Sequence, residues 1–358
     1  MTSLLKGSAC LAVLAGVAFA PAAVSADTFT LRIGAGHPNG PSVYVTDVAE
    51  FFVPEVRRRV AEETEHEIEF VEGYGGSIAG VAETLEAVEN GILDIGAYCM
   101  CFEPAKLFLH NFPYYAPFGP TDSAQAMAAT RAVYDQVPWL AEQFTASYGQ
   151  EMLGLHGWDN YHLGTTNPWD DLSDLQGVKI GGAGPNLPWL EFAGVVPVQS
   201  TLPDGYLALS TGAYDGWLMF PSAYLGYKFY EPSPHYTLIG FGAMPVNVLT
   251  MNSRTMASLP EDVQQILREV GRAYEDQAGA SLNAAQERGL AGLEAAGTVP
   301  TELDPAVRAE WAESLAGFPA QQAKDADGRG MPGSEVMNAY LAAVTDTGYT
   351  WPVSYTVE

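Results

Sequence analysis

The side chains able to do chemistry in this 358-residue chain do not assemble into a catalytic pattern. Six histidines (His37, His66, His110, His156, His162 and His235) are scattered without metal-ligand spacing. No G-x-S-x-G, H-E-x-x-H, phosphate-loop or C-x-x-C sequence occurs. Asp170 and Asp171 are neighbours in a turn, a solvated pair rather than an acid–base dyad. The reading is therefore of a chain that is not an enzyme and carries no metal or cofactor. What its residues offer is adhesion. Trp158, Tyr161, Trp217 and Phe220 fall near the ends of expected strands and form a candidate aromatic box, with Asp159 or Glu103 as negative charge. Ring faces attract cations by about 0.5–2 kcal/mol per contact, which suits an amine or betaine. The box suits equally the stacking of an aromatic or apolar acid, its acid end met by His162 and backbone N–H groups. Plainer roles stand beside these: Trp217 as core, Asp159 as a loop cap, Glu103 as a surface partner of Lys106.

Two further residues sit in loops at strand ends. His37 begins the loop His37-Pro38-Asn39-Gly40-Pro41, where it faces ligand or caps the loop. Tyr74 lies in the glycine-rich turn Gly73-Tyr74-Gly75-Gly76-Ser77, which matches neither phosphate-binding glycine pattern. Cys99 and Cys101 stand two apart on an expected strand, with awkward geometry for bridging, and are read as small buried residues rather than a disulfide.

These residues need elements to position them, and the stretch 174–220 supplies most. It reads as a strand at Val178-Lys179-Ile180, a loop at residues 181–186, a helix at 187–193, a strand at 195–198 and a helix at 202–211 stopped by Gly212. A last strand begins at Asp215-Gly216-Trp217. Ligands of open α/β sheets sit where such loops leave the carboxyl ends of strands. Residues 181–186 and 217–220 are thus expected to face one crevice. Upstream, a strand at 28–35, an amphipathic helix at 43–64 with a kink at Pro54, and a strand at 67–72 make a βαβ unit. ETLEAVENGILDIG and DGYLALSTGAYDGW share helix, Gly, two residues, Asp and strand, which suggests two similar α/β lobes. Strands at 236–241 and 246–252 join the lobes. A long helix at 260–288 follows, with a Ser258/Glu261 capping box and Gly289 as its end. Short helices and a loose tail complete the chain, with residues 321–333 flexible.

Composition narrows the partners. Lys6, the apolar run 9–20 and the A-x-A-like end before Asp27 read as a cleaved secretory signal, residues 1–26. Loss of Lys6 takes the formal net charge from −27 to −28. So acidic a surface excludes nucleic acid and anionic lipid as partners. No later run approaches the roughly 18 apolar residues of a membrane span, so no stable membrane insertion is expected.

A secreted two-lobed α/β chain with aromatic residues at strand ends describes a periplasmic solute-binding protein closing about a hinge. ETLEAVENGILDIG, DLSDLQGVKI, ALSTGAYDG, YKFYEPSPHYT and SLPEDVQQILREV, in this order over residues 29–297, resemble the DctP family, the solute-binding subunits of tripartite ATP-independent periplasmic (TRAP) transporters. The resemblance implies hinge strands, a long helix bracing both lobes, and delivery of a small organic solute to TRAP membrane subunits. The lobes are expected at 27–153 plus about 244–285 and at 154–243 plus about 286–358. It also implies an arginine directly after the VKI strand, clamping a substrate carboxylate. Gly181 stands there, His162 or Leu163 stands at a second arginine position, and no arginine occurs between Arg131 and Arg254. A simple four-carbon dicarboxylate is therefore disfavoured, and a carboxylate, amine, betaine or aromatic acid is left open. Two alternatives are a secreted enzyme on a similar frame and the binding subunit of an ATP-driven importer.

Overall fold

Alternation and burial sort the strands into two sheets. The computed structural model describes Thr2 and residues 27–358. The expected signal segment thus lies, Thr2 apart, outside the described residues. In chain order the strands are β1 (Thr28–Ala35), β2 (Glu67–Gly73), β3 (Ile95–Cys99), β4 (Gln150–Trp158), β5 (His162–Thr165) and β6 (Lys179–Gly182). They continue with β7 (Val196–Gln199), β8 (Gly216–Met219), β9 (His235–Leu238), β10 (Met244–Asn252) and β11 (Thr301–Glu302). One sheet runs β2-β1-β3-β10-β4 and the other β11-β9-β5-β8-β6-β7. β2 forms an edge and alternates exposed with buried positions at its start, whereas β3 and β10 are buried throughout. β1 pairs in parallel with β2 and β3, as the βαβ reading requires.

Among the described residues the chain crosses between the sheets three times, the last by way of the long helix between β10 and β11. It leaves the first after Trp158 and enters the second at His162, then returns between β9 and β10. The first two crossings pair with each other: Tyr161 N–H donates to Gly242 O and Phe241 N–H donates to Tyr161 O, both at 3.1 Å. The helix Glu261–Ala295 spans 35 residues and packs on both β4 and the helix Pro221–Gly226, bracing the two sheets.

Several local expectations are corrected. Gly289 does not end the brace; it lies inside it, where an added Cβ would come within 2.6 Å of Pro221 backbone. The glycine serves close helix packing rather than termination. No capping box forms, because Ser258 closes the preceding helix, donating to Thr255 O at 2.7 Å, and Pro260 stands at the cap position. The helix expected at 43–64 contains a π-helical turn, Val48–Phe52, just ahead of Pro54. Pro54 has no N–H for the carbonyl four residues back, and the wider turn absorbs that loss. The tail is not loose: residues 321–328 belong to the helix Phe318–Gly328, and Tyr349 and Tyr355 donate to Phe118 O and Pro117 O. The helix Gly333–Asp346 packs on the helix Ser123–Gln136, so this end of the chain reaches back beyond the second sheet.

Cys99 and Cys101 are joined by a disulfide, contrary to the sequence reading. That reading assumed extended backbone through both residues. β3 stops at Cys99 and a 3-10 turn, Met100–Phe102, follows, which brings the Cα atoms to 5.1 Å, inside the window of about 4.4–6.8 Å that a bridge needs. Both residues are buried, as expected.

Candidate functional site

The two sheets meet over a ring of aromatic side chains contributed by their strand ends. Trp158 closes β4 and Phe220 follows β8, so the pair spans the crevice. Their rings stack with centroids 4.7 Å apart and planes inclined by 20°. Tyr161 meets Phe220 edge-on at 5.0 Å and its hydroxyl lies 2.8 Å from that of Tyr114. These rings, with Trp217, Phe102, Cys101 and Asn186, border a cavity of about 20 Å³. That is room for about one water molecule. An organic solute can enter only if the sheets move apart.

Two buried polar groups at this place lack partners. Asn186 is 1% exposed; its Oδ1 accepts from Ala183 N–H at 3.2 Å, while its Nδ2 has no partner. His37 is equally buried, with Nδ1 2.9 Å from Tyr44 Oη and Nε2 unpartnered. Its ring stands 5.5 Å from those of both Trp158 and Phe102. Burial pushes the His37 pKa down to about 3, so the ring is neutral. An unmade hydrogen bond on a buried group costs about 1–3 kcal/mol. Of the buried atoms without partners, which occur elsewhere in the fold too, Asn186 Nδ2 borders the cavity and His37 Nε2 lies behind Trp158 and Phe102.

The other residues singled out from sequence divide. Gly181 lies beneath Trp217: a Cβ there would come within 2.6 Å of the indole ring. Asp159 is fully buried but off the cavity, accepting from Ser222 N–H at 3.2 Å and Ser222 Oγ at 2.5 Å. Burial raises its pKa to about 7, against the lowering effect of those hydrogen bonds. It holds the first turn of the helix Pro221–Gly226 rather than capping a loop. His162 points into the crossing, not the cavity; its Nδ1 accepts from Gly240 N–H at 3.1 Å. Burial, then the charge of Arg308, hold its pKa down to about 3. Tyr161 lies in the crossing before β5 and borders the cavity, whereas His162 opens the strand and is held by Gly240 N–H. Glu103 stands off the cavity with one oxygen 3.9 Å from Lys106 Nζ, and burial lifts its pKa to about 6. Tyr74 donates to Glu72 at 3.1 Å beyond the end of β2, also off the cavity. No group of three or more His, Cys, Asp or Glu suited to a metal ion occurs among the described residues.

The sequence profile of the bacterial extracellular solute-binding proteins, family 7 (DctP), matches residues 46–325. The chain belongs to the DctP family. Solved structures agree in fold. A TRAP solute-binding protein from Rhodoferax ferrireducens, in complex with copurified benzoate, is 18% identical with a TM-score of 0.79, covering 89% of this chain and 98% of that one. A marine metagenome TRAP protein specific for aromatic acid ligands, in complex with metahydroxyphenylacetate, gives 20% identity, a TM-score of 0.79, and 89% and 99% coverage. A TRAP periplasmic protein from Bordetella bronchiseptica with bound (R)- and (S)-mandelate gives 20%, 0.77, and 89% and 99%. The DctP family is periplasmic, and no helix among the described residues is long and apolar enough to cross a membrane.

Within this DctP chain, sequence reasoning missed Asn186 and Phe102, which border the cavity, and Tyr114, which meets it only through the hydroxyl of Tyr161. Asn186 ends the loop expected to face the crevice, so its position was signalled but its side chain was not. Phe102 and Tyr114 come from the first sheet's connections, where no periodicity marks which ring points inward.

Proposed function

We propose that this protein captures a small planar organic acid between its lobes and presents the closed form to the membrane subunits of a TRAP-type permease. The observation that carries this reading is the near-parallel pair Trp158 and Phe220, one ring from each sheet, with only a water-sized cavity beside it. When the lobes part, a flat solute slides between these faces, and closure desolvates it. Trp158, Tyr161, Trp217 and Phe220 line the solute, while Asn186 Nδ2 and His37 Nε2 meet its oxygen atoms. Gly181 stands where the family clamp would be, and the indole over it leaves that clamp no room. The aromatic acids bound by three relatives support the ligand class. Membership of a family of receptors supports binding without turnover, against a secreted enzyme or an ATP-driven importer. We further assign the lobes to the two sheets, with the crossing between Trp158 and His162, and secretion to a signal cleaved before Asp27.

A second reading, an amine or betaine, draws on the absence of any Lys or Arg from the residues bordering the cavity. Thermal-shift measurements separate the two. At about 100 times its dissociation constant a ligand adds about 2.7 kcal/mol of stability, visible as a raised Tm. The expected result is a rise with benzoate or mandelate. A rise with betaine alone transfers the site to the second reading, and one with dicarboxylates alone refutes both.

A further inference from the structure

The disulfide lies at the lip of the crevice. Cys101 borders the cavity, and the turn that carries it, Met100–Phe102, supplies Phe102 to the same wall. Across the crevice stands the loop after β6. There Gly184 takes φ +51°, and a Cβ added to it would come within 2.8 Å of Cys101 O. Two backbones from different sheets thus touch directly, and only glycine fits between them. The bridge fixes the first of these backbones from inside the turn. Asn111 fixes it from behind, donating through Nδ2 to Met100 O at 3.0 Å and Leu107 O at 2.9 Å. Phe102 in turn packs against His37, and His37 against Trp158.

We propose that the Cys99–Cys101 bridge is a positioning element for solute binding: it holds the first lobe's lip where the turn 183–186 after β6 closes on it. A ring closed over so few residues constrains little of the unfolded chain, so its effect on overall stability is small. Its effect on the crevice is large, because a turn free to relax carries both the backbone contact with Gly184 and the seat of Phe102 away from the closed position. This rests on the crevice being the solute site, and the test keeps the two questions apart.

The test compares amide hydrogen exchange of the solute-free protein with that of C99S/C101S. The wild type reduced by a phosphine provides a second comparison that does not depend on a variant folding. Reduction breaks the S–S bond to two thiols and converts the phosphine to its oxide, with water supplying the oxygen and both protons. The expected result is exchange about fivefold faster over residues 181–187, in the lobe that holds neither cysteine. Benzoate, titrated by calorimetry, is expected to bind about tenfold more weakly, while Tm falls by only about 3–5 °C. A purely local role predicts changes confined to residues 95–112, and that pattern overturns the proposal. So do two free thiols in the native protein. Faster exchange at 181–187 in a protein that never binds benzoate sustains the positioning role and refutes the aromatic-acid reading instead.

Discussion

The crevice and the crossing beside it are built from similar residues to opposite ends. At the crossing, polar groups are matched. Gly242 N–H donates to Asn160 Oδ1 at 3.0 Å, Gly240 N–H to His162 Nδ1, Asn160 N–H to Gln286 Oε1, and Ser222 to Asp159. A few residues away, the crevice leaves Asn186 Nδ2 and His37 Nε2 buried with nothing to bond. Satisfied hydrogen bonds fix one arrangement, whereas unsatisfied ones raise the free energy of the closed, empty state. On the proposed reading, the crossing keeps its register while the lobes move, and an enclosed solute completes the crevice.

The largest effect is expected where crevice and core overlap. Trp217 packs on Gly181, on Tyr214 at 5.5 Å and on Phe229 at 5.2 Å, all within its own lobe. Trp217→Ala should cost about 3–5 kcal/mol in urea unfolding. Trp158→Ala should cost less, because its stack on Phe220 crosses to the opposite sheet and only Tyr44 at 5.1 Å and His37 at 5.5 Å hold its ring from its own side. Equal costs would mean that the crevice is ordinary core, and the contrast would fail.

The crossing has its own signature in pH. Asp159 titrates at about 7 in the folded protein against an ordinary value of 3.8. Its folded pKa is raised, so its contribution to stability is fully present below the ordinary value and is lost as pH rises through about 7. Between about pH 4 and pH 8 the wild type should lose about 2–4 kcal/mol relative to Asp159→Asn, which does not titrate. Parallel pH curves for the two proteins would show that the carboxyl is not held as the structure places it.

What was legible beforehand follows the same division. The βαβ order, the two sheets, the brace and the aromatic quartet were readable because period, chain length and residue size carry them. The split between Tyr161 and His162 was not: they are adjacent, both suit a ligand, and only bonds to the remote segment 240–242 decide how each is held. The bridge was missed for a related reason, since two cysteines spaced for a strand become bridgeable once the strand stops between them. Gly289 reads as a helix end in any one-dimensional pattern, and its packing against Pro221 comes from residues far away in sequence. Asp159 reads as a counter-charge for a ligand until Ser222, remote in the chain, is seen to hold it.

The sharpest separation between crossing and crevice comes from one substitution made in both. Asn160→Ala strips an amide whose oxygen is the acceptor for Gly242 N–H, leaving a buried donor unpaired. It should cost about 1–3 kcal/mol.

Asn186→Ala removes the same atoms from the crevice, with a different balance. It forfeits the bond from Ala183 N–H, a net of about 0.5–1.5 kcal/mol, but it also removes a buried donor that the closed protein leaves unmatched at a cost of about 1–3 kcal/mol. The two nearly cancel, so the unfolding midpoint should move by less than about 1 kcal/mol in either direction, the smallest effect of the series. Solute binding should nevertheless weaken by about tenfold, since the donor meant for the solute is gone. Urea unfolding and a titration with benzoate on the same two variants decide the matter. Should Asn186→Ala destabilise as strongly as Asn160→Ala, its amide is holding the fold rather than waiting for a solute, and the contrast between crevice and crossing would rest on His37 alone.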